Sequence, residues 1–264
     1  MHKKELVSIV MPLYNCAGLV EQSIESVQAQ TYENWELLVV DDLSTDGSYD
    51  IVKGYAQQDP RIRLLQNDYN SGAAISRNYA LREAKGKWVA FLDSDDLWLP
   101  EKLSRQVAFM EESGCHFSYT QYAEMNDAGQ LTGNYWTGPK KVGKVKMFAY
   151  DYVGCLTVMY DRAHVGLVQI PDLKKRNDYA LWLKVVKKCP CYLLPEILAK
   201  YRVRTSDSVT DRKAGVLKRI RHYYIMYRLS EEMNPVAAAW STGVNLVFGA
   251  LKKLTFKRKL RQEL

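Results

Sequence analysis

Short apolar runs alternate with segments of helical period through the first half of the chain. The runs are "LVSIVMP" (6–12), "WELLVVD" (35–41), "RIRLLQN" (61–67) and "KWVAFLD" (87–93). Between them, "AGLVEQSIESVQAQ" repeats apolar residues at Val20, Ile24 and Val27, and "GSYDIVKGYAQQ" and "GAAISRNYALREAKG" behave alike. Near-continuous apolar strands are buried on both faces, and strand–helix–strand units joined with right-handed crossovers build a parallel sheet covered by helices. The pattern therefore predicts an α/β fold with a mixed, mostly parallel sheet. Ligands of such sheets bind outside the carboxyl ends of the strands. Four polar clusters, "MPLYN", "VDDLSTD", "QNDYNSG" and "LDSDD", all fall on that edge.

Beyond Cys115 the pattern loosens. "HFSYTQYAEM" predicts a strand, "NDAGQLTGNYWTGPKKVGK" a Gly-rich loop long enough at 126–144 to act as a mobile lid, "DYALWLKVVKK" a helix and "CYLLPEILAKYRV" one or two strands. From Arg212 onward two helices are expected, broken at Asn234-Pro235.

With 264 residues, 47% hydrophobic and 25% charged, the chain can bury one large core, so disorder is excluded. The net charge of +7 is unevenly placed: residues 212–264 hold twelve Lys/Arg against three Asp/Glu, which leaves the rest slightly acidic. In the same region Trp240, Val244, Val247, Leu251 and Leu254 make an apolar stripe, followed by Lys252, Lys253, Lys257, Arg258, Lys259 and Arg261. Such a helix lies on an anionic membrane surface, or else packs its stripe on its own domain or on a second subunit of a homodimer. Nucleic acid is not an expected partner. The opening "MHKKELVSIVMP" has no apolar stretch of signal length and no run of about 18 apolar residues occurs, so a cytoplasmic place at the inner face of the membrane is expected. Five scattered cysteines match no zinc spacing and are expected to be reduced.

The densest chemistry is in "VAFLDSDDLWLP" (89–100), where Asp93, Asp95 and Asp96 follow a buried run. One Asp suffices for a turn or helix cap. Three raise one another's pKa and resist ionisation unless a cation neutralises them. Hard carboxylate oxygens without neighbouring Cys or His suit Mg²⁺ or Mn²⁺, which complete their shells with water and substrate phosphates. Neither G-x-x-x-x-G-K-[ST] nor G-x-G-x-x-G is present, and no H-E-x-x-H or G-x-S-x-G. If this is an enzyme, carboxylates and a metal do the work.

The ordered set "SIVMPLYN", "QTYENWELLVVDDLSTDGS", "NSGAAISRNYAL", "AKGKWVAFLDSDD", "NDYALWLKVV" and "YRVRTSDSVT" resembles the inverting family 2 glycosyltransferases of GT-A fold, over roughly residues 6–210. The resemblance implies a catalytic domain over 1–211, with a nucleotide-binding half at 1–115 and an acceptor-binding half at 116–211, and leaves 212–264 as a basic amphipathic helical tail. It implies a UDP-sugar donor, Mn²⁺ or Mg²⁺, and a saccharide acceptor, lipid-linked in cell-surface polysaccharide synthesis. The transferred sugar would be a hexose or N-acetylhexosamine and the new linkage β.

Carried over by residue, the resemblance places Pro12 and Tyr14 beside the uracil and Asp42 on the base N3–H, with Asn70 and Arg77 near the nucleotide and sugar. "DSD" resembles the family's DxD motif: Asp93 and Ser94 belong to the ribose and sugar side, Asp95 is the direct metal ligand and Asp96 assists. Asp178 takes the place of the catalytic base, beside Asn177 where Glu is common. Arg204 stands where His is frequent and is read as a diphosphate contact. Trp98, Tyr135, Trp136 and Trp182 are candidates to stack on acceptor sugars, Trp182 being equally suited to the core. Two competing readings are a nucleotidyltransferase, which needs a Gly-rich basic loop that "MPLYNCAGLVEQ" lacks, and a non-catalytic nucleotide-binding or membrane-docking module, which has no use for Asp178.

Overall fold

The computed structural model describes residues 4–204 and 215–260. Its first half is the expected alternation: β1 (Val7–Leu13), α1 (Val20–Gln28), β2 (Trp35–Asp41), α2 (Ser48–Gln58), β3 (Ile62–Gln66), α3 (Ala73–Glu83) and β4 (Trp88–Phe91). β4, β1, β2 and β3 lie side by side and are parallel. Successive side chains point to opposite faces of a strand. Ile9, Met11, Leu37 and Val39 thus pack with Val20, Ile24 and Val27 of α1 on one face, while Val10, Leu38, Val40 and Phe91 enter a second core on the other. The register sets Leu13 against Asp41 and Asp41 against Gln66, so the three strands end level with one another.

After the two-residue β5 (Leu97–Trp98) and α4 (Lys102–Ser113) come β6 (Phe117–Met125), β7 (Leu131–Trp136), β8 (Lys141–Val142), α5 (Lys144–Ala149), β9 (Met159–Asp161), α6 (Arg162–Val165), α7 (Asn177–Val185) and β10 (Cys191–Arg202). β9 joins the halves by pairing antiparallel with both β4 and β6, and β10 runs parallel to β6. The stretch expected as a lid is instead partly sheet. β7 pairs with β6 and β8 with β10, because ladder pairing satisfies backbone groups that a buried loop would leave open.

Trp182 and Trp98 are core residues. Trp182 packs edge-on against Phe91, with centroids 5.0 Å apart, and Trp98 is buried with its Nε1 donating to the Leu156 carbonyl at 2.7 Å.

The C-terminal region forms α8 (Gly215–Ser230), α9 (Pro235–Phe256) and β11 (Lys257–Lys259). The break falls at Asn234-Pro235 as expected, with the Asn234 side chain accepting from Ala237 N at 2.9 Å. This region is built into the molecule. β11 pairs with β7, and Lys257 forms an ion pair with Glu124 of β6 at 2.9 Å. Asn245 of α9 donates to the hydroxyls of Tyr179 (3.2 Å) and Tyr227 (3.3 Å), tying α9 to α7 and α8.

α9 packs the reverse of a typical amphipathic helix. Ala238, Thr242 and Asn245 are buried at four- and three-residue spacing. Gly249 and Lys252 continue that inward face; a Cβ at Gly249 would lie 2.9 Å from the Tyr150 ring. The apolar stripe faces solvent, with Trp240 75% and Leu254 80% exposed and Val247 and Leu251 also open. Packing of the stripe on the chain's own domain, one of the three expectations, is therefore overturned. The protein surface meets the small and polar face instead, because close approach to Tyr150 requires it. Arg261 lies outside the described residues, as does the side chain of Lys253.

Candidate active site

A cleft of about 450 Å³ opens at the carboxyl edge of the parallel strands, lined in part by Pro12, Tyr14, Asp42, Arg77, Asp93 and Asp95. All but Arg77, which α3 carries, arrive there because their strand ends there. Pro12 and Tyr14 leave β1, Asp42 follows β2, and "DSD" follows β4 by one residue. Ser94 and Arg204 also line the cleft, whereas Asn70, Asp96 and Asp178 of the expected set do not.

Asp42 is buried and accepts from Asn67 Nδ2 (2.7 Å), Ser71 N (2.8 Å) and Gly72 N (2.7 Å). The last two are amides at the start of α3, so this carboxylate fixes the helix that carries Arg77. Gly72 has φ +85°, which a side chain rarely adopts. Oδ2 receives a single bond and keeps a lone pair for a ligand donor. Asn70 does not line the cleft. Its side chain donates to the Asp42 carbonyl at 3.2 Å and braces the 67–72 turn, so its place in this structure is to support Asp42.

Arg77 is buried and connects the two halves: its guanidinium donates to Asp93 and to Asn177. Burial opposes its charge, but Asp93, Cys155 and Asp178 outweigh that and hold its pKa above the ordinary value. Asn177 supplies a neutral acceptor where Glu is common in the family pattern, which spares Arg77 a further carboxylate.

Asp95 pairs with Arg204 at 2.9 Å. Burial, then the charge of Asp93, raises the Asp95 carboxyl above its usual range. Asp96 is 1% exposed and absent from the cleft wall; its Oδ1 accepts from the Arg202 amide at 2.8 Å. Any assistance that Asp96 gives a metal would come from behind Asp95, since its carboxyl is not on the cleft wall. The carboxyl is turned inward to hold the end of β10, and burial pushes its pKa well up. Among the described residues no three His, Cys, Asp or Glu side chains converge on one point. Asp93 and Asp95 by themselves are a donor set that fits Mg²⁺ or Mn²⁺, whose remaining positions go to water and phosphate oxygens.

Asp178 lies in the first turn of α7, half-buried, its Oδ1 accepting from Tyr179 N at 2.8 Å. It is not on the cleft wall but one residue from Asn177, which Arg77 binds. Its charge is felt by Arg77, Asp151, Arg176 and Lys252. Asp151 is half-buried, with one carboxylate oxygen buried and unpartnered among the described residues. Burial, then Asp178, pushes its pKa up to about 7, against the pull of Lys252 and Arg176. Lys252 reaches in from α9, donates to the Asp151 carbonyl at 3.0 Å and sits over the rings of Trp136 and Tyr150.

Cys16, Ser76, Lys175 and Tyr201 also line the cleft, and sequence reasoning missed them along with Asp151 and Lys252. Lys175 had a signal, standing three residues before Asp178. Lys252 had none, since it reads as one more tail cation.

A parallel α/β sheet with an acidic DxD pair at its carboxyl edge defines the nucleotide-sugar transferases of GT-A fold. Residues 8–159 match the Glycosyl transferase family 2 profile, and the chain belongs to that family. It is 39% identical over 238 residues to the putative teichuronic acid biosynthesis glycosyltransferase TuaG of Bacillus subtilis, covering 90% of this chain and 93% of the relative. It is 40% identical over 256 residues to WfgD of Escherichia coli, a UDP-Glc:alpha-D-GlcNAc-diphosphoundecaprenol beta-1,3-glucosyltransferase, covering 96% and 97%. In fold it is similar to S. aureus TarS 1–349 in complex with UDP-GlcNAc, with a TM-score of 0.71 and 21% identity over 96% of this chain and 74% of that one.

Proposed function

We propose that this glycosyltransferase moves a hexose or N-acetylhexosamine from a UDP-sugar to a hydroxyl of a lipid-linked saccharide, with inversion, in a metal-dependent reaction. The observation that carries the reading is the Arg77 bridge, which ties Asp93 at the cleft to the helix start that holds Asp178. The activity named for WfgD supports the class of donor and acceptor.

In this reading Pro12 and Tyr14 hold the uracil and Asp42 accepts from its N3–H through the lone pair left on Oδ2. Arg77 and Asp93 orient the sugar, with Ser94 beside them. Asp95 would hold a Mg²⁺ or Mn²⁺ ion, which would supply Lewis-acid stabilisation of the leaving charge. Arg204, already beside Asp95, adds a guanidinium to the donor's diphosphate. Asp178 accepts the proton of the attacking hydroxyl while that oxygen bonds the anomeric carbon and UDP departs with the electron pair of the broken bond. One in-line displacement on an α-linked donor leaves a β product.

The exposed stripe of α9 docks on an anionic membrane, which brings the cleft to a lipid-linked acceptor. No helix among the described residues is long and apolar enough to cross a membrane. Incubation of UDP-hexoses with Mn²⁺ and a lipid-diphosphate-linked acceptor tests the reading, with NMR of the new anomeric proton. A β-linked product is expected, and an α-linked one from an α-donor overturns the mechanism.

A further inference from the structure

Three concavities run end to end away from the carboxylates. Lys175, on the wall of the cleft, also lines a second pocket of about 350 Å³ between the 172–175 segment and α8. Lys174, Lys218 and Arg221 share that wall, with Asp172 as its one carboxylate among the described residues. Arg221 in turn lines a third pocket of about 390 Å³ between α8 and α9, walled by Leu217, Ile220, Tyr224 and Leu246. The chemistry changes along this path from paired acids and cations, to basic, to apolar. Gly243, also in the third wall, lies three residues after Trp240 and four before Val247, so the groove opens beside the exposed stripe of α9.

We propose that the basic pocket holds the diphosphate of the acceptor and the α8–α9 groove the first isoprenoid units of its lipid, which rests on the reading of a lipid-linked acceptor given above. A polyprenyl diphosphate saccharide is a molecule with this sequence of properties: an apolar chain, then a dianion, then a sugar. Its chain enters from the bilayer under α9, its phosphates meet Arg221, Lys218 and Lys174, and its sugar arrives at Lys175 on the cleft wall. Phospholipid headgroups would also answer to the cations, but a headgroup has no need of a path that continues through Lys175 to the cleft. The groove is thereby a specificity device: an acceptor without the diphosphate forgoes the basic pocket, and one without the lipid forgoes the groove.

Binding decides this without turnover. Farnesyl diphosphate is titrated into the full chain with UDP and Mn²⁺ saturating, so that the donor cleft is filled, and anionic phospholipid vesicles are titrated in parallel. Saturable binding of farnesyl diphosphate is expected in the wild type. The double variant K218E/R221E should weaken it by about tenfold or more, the loss of at least one charge-assisted contact, and L217E, at a position 81% exposed, should weaken it as well. Thermal melting of the variants confirms that these surface changes leave the fold intact. Absence of saturable binding in the wild type, or unchanged affinity in K218E/R221E, overturns the proposal. So does a variant that loses anionic vesicles while keeping farnesyl diphosphate, since the cations then serve headgroups. Failure of the underlying reading is seen separately, as wild-type enzyme that turns over no UDP-hexose.

Discussion

Arg77 donates to Asn177, a residue one hundred positions further along the chain. The bond crosses from α3, in the half that ends at the strand edges, to the start of α7. Because the same guanidinium holds Asp93, the first carboxylate of "DSD" and the start of the helix that carries Asp178 are tied together. Arg77→Lys keeps the charge but presents a point donor in place of a planar fork. It should lower UDP-hexose turnover by about tenfold and stability by roughly 1–3 kcal/mol, the cost of a lost hydrogen bond to a charged or buried group. Urea unfolding and steady-state kinetics measure both, and wild-type turnover would remove Arg77 from the site.

Asp178→Asn preserves shape and removes basicity. Turnover should fall by about 10²-fold or more, the usual scale of general-base catalysis, with UDP affinity nearly unchanged. A variant as active as wild type means that another group takes the proton.

Chelation with EDTA should abolish transfer, and added Mn²⁺ or Mg²⁺ restore it. Asp95→Ala should not be restored, because a single remaining carboxylate at Asp93 is already committed to Arg77. Activity in metal-free buffer sinks the metal requirement.

The buried carboxyl of Asp151 gives a pH signature. Its pKa stands near 7 in the folded protein against 3.8 for an ordinary Asp, so the folded state binds the extra proton between those values. Stability from this group is complete below about pH 4 and drains away as pH rises through about 7. Asp178, Arg176 and Lys252 are the charges that face it. Asp151→Asn should flatten that part of the melting-temperature profile and make the variant gain on the wild type toward pH 8. Parallel profiles for the two proteins would show that Asp151 ionises normally.

Wild-type protein should co-sediment with anionic vesicles at low salt and release as salt rises, since charged surfaces are screened. Trp240→Glu with Leu254→Glu, both on the open face of α9, should abolish binding without altering the melt. Wild-type protein that ignores vesicles and instead dimerises with concentration would assign the stripe to a second copy.

The alternation of buried strands and amphipathic helices was written in the chain up to Phe91, because local period and turn residues decide each element there. The same locality exposed Asp93, Ser94 and Asp95, which follow their strand directly. What lay beyond reach depended on partners distant in sequence. Nothing in "NDAGQLTGNYWTGPKKVGK" announces that β7 will find β11 at Lys257–Lys259, and strand pairing at that separation is a property of the folded sheet. Asp95 and Asp96 are adjacent and chemically identical, yet the first faces the cleft and the second the Arg202 amide, because the turn closed by the Asp96 amide on the Asp93 carbonyl at 3.1 Å sends them apart. The direction of α9 is the plainest case. Its sequence specifies an apolar stripe and a face of Ala238, Thr242, Asn245, Gly249 and Lys252, but only the tertiary structure decides which is buried. Asn245 finds the hydroxyls of Tyr179 and Tyr227 there, Gly249 admits the Tyr150 ring, and Lys252 meets the Asp151 carbonyl, so polar groups that hydrogen-bond in place go inward and the apolar stripe is left to the surface.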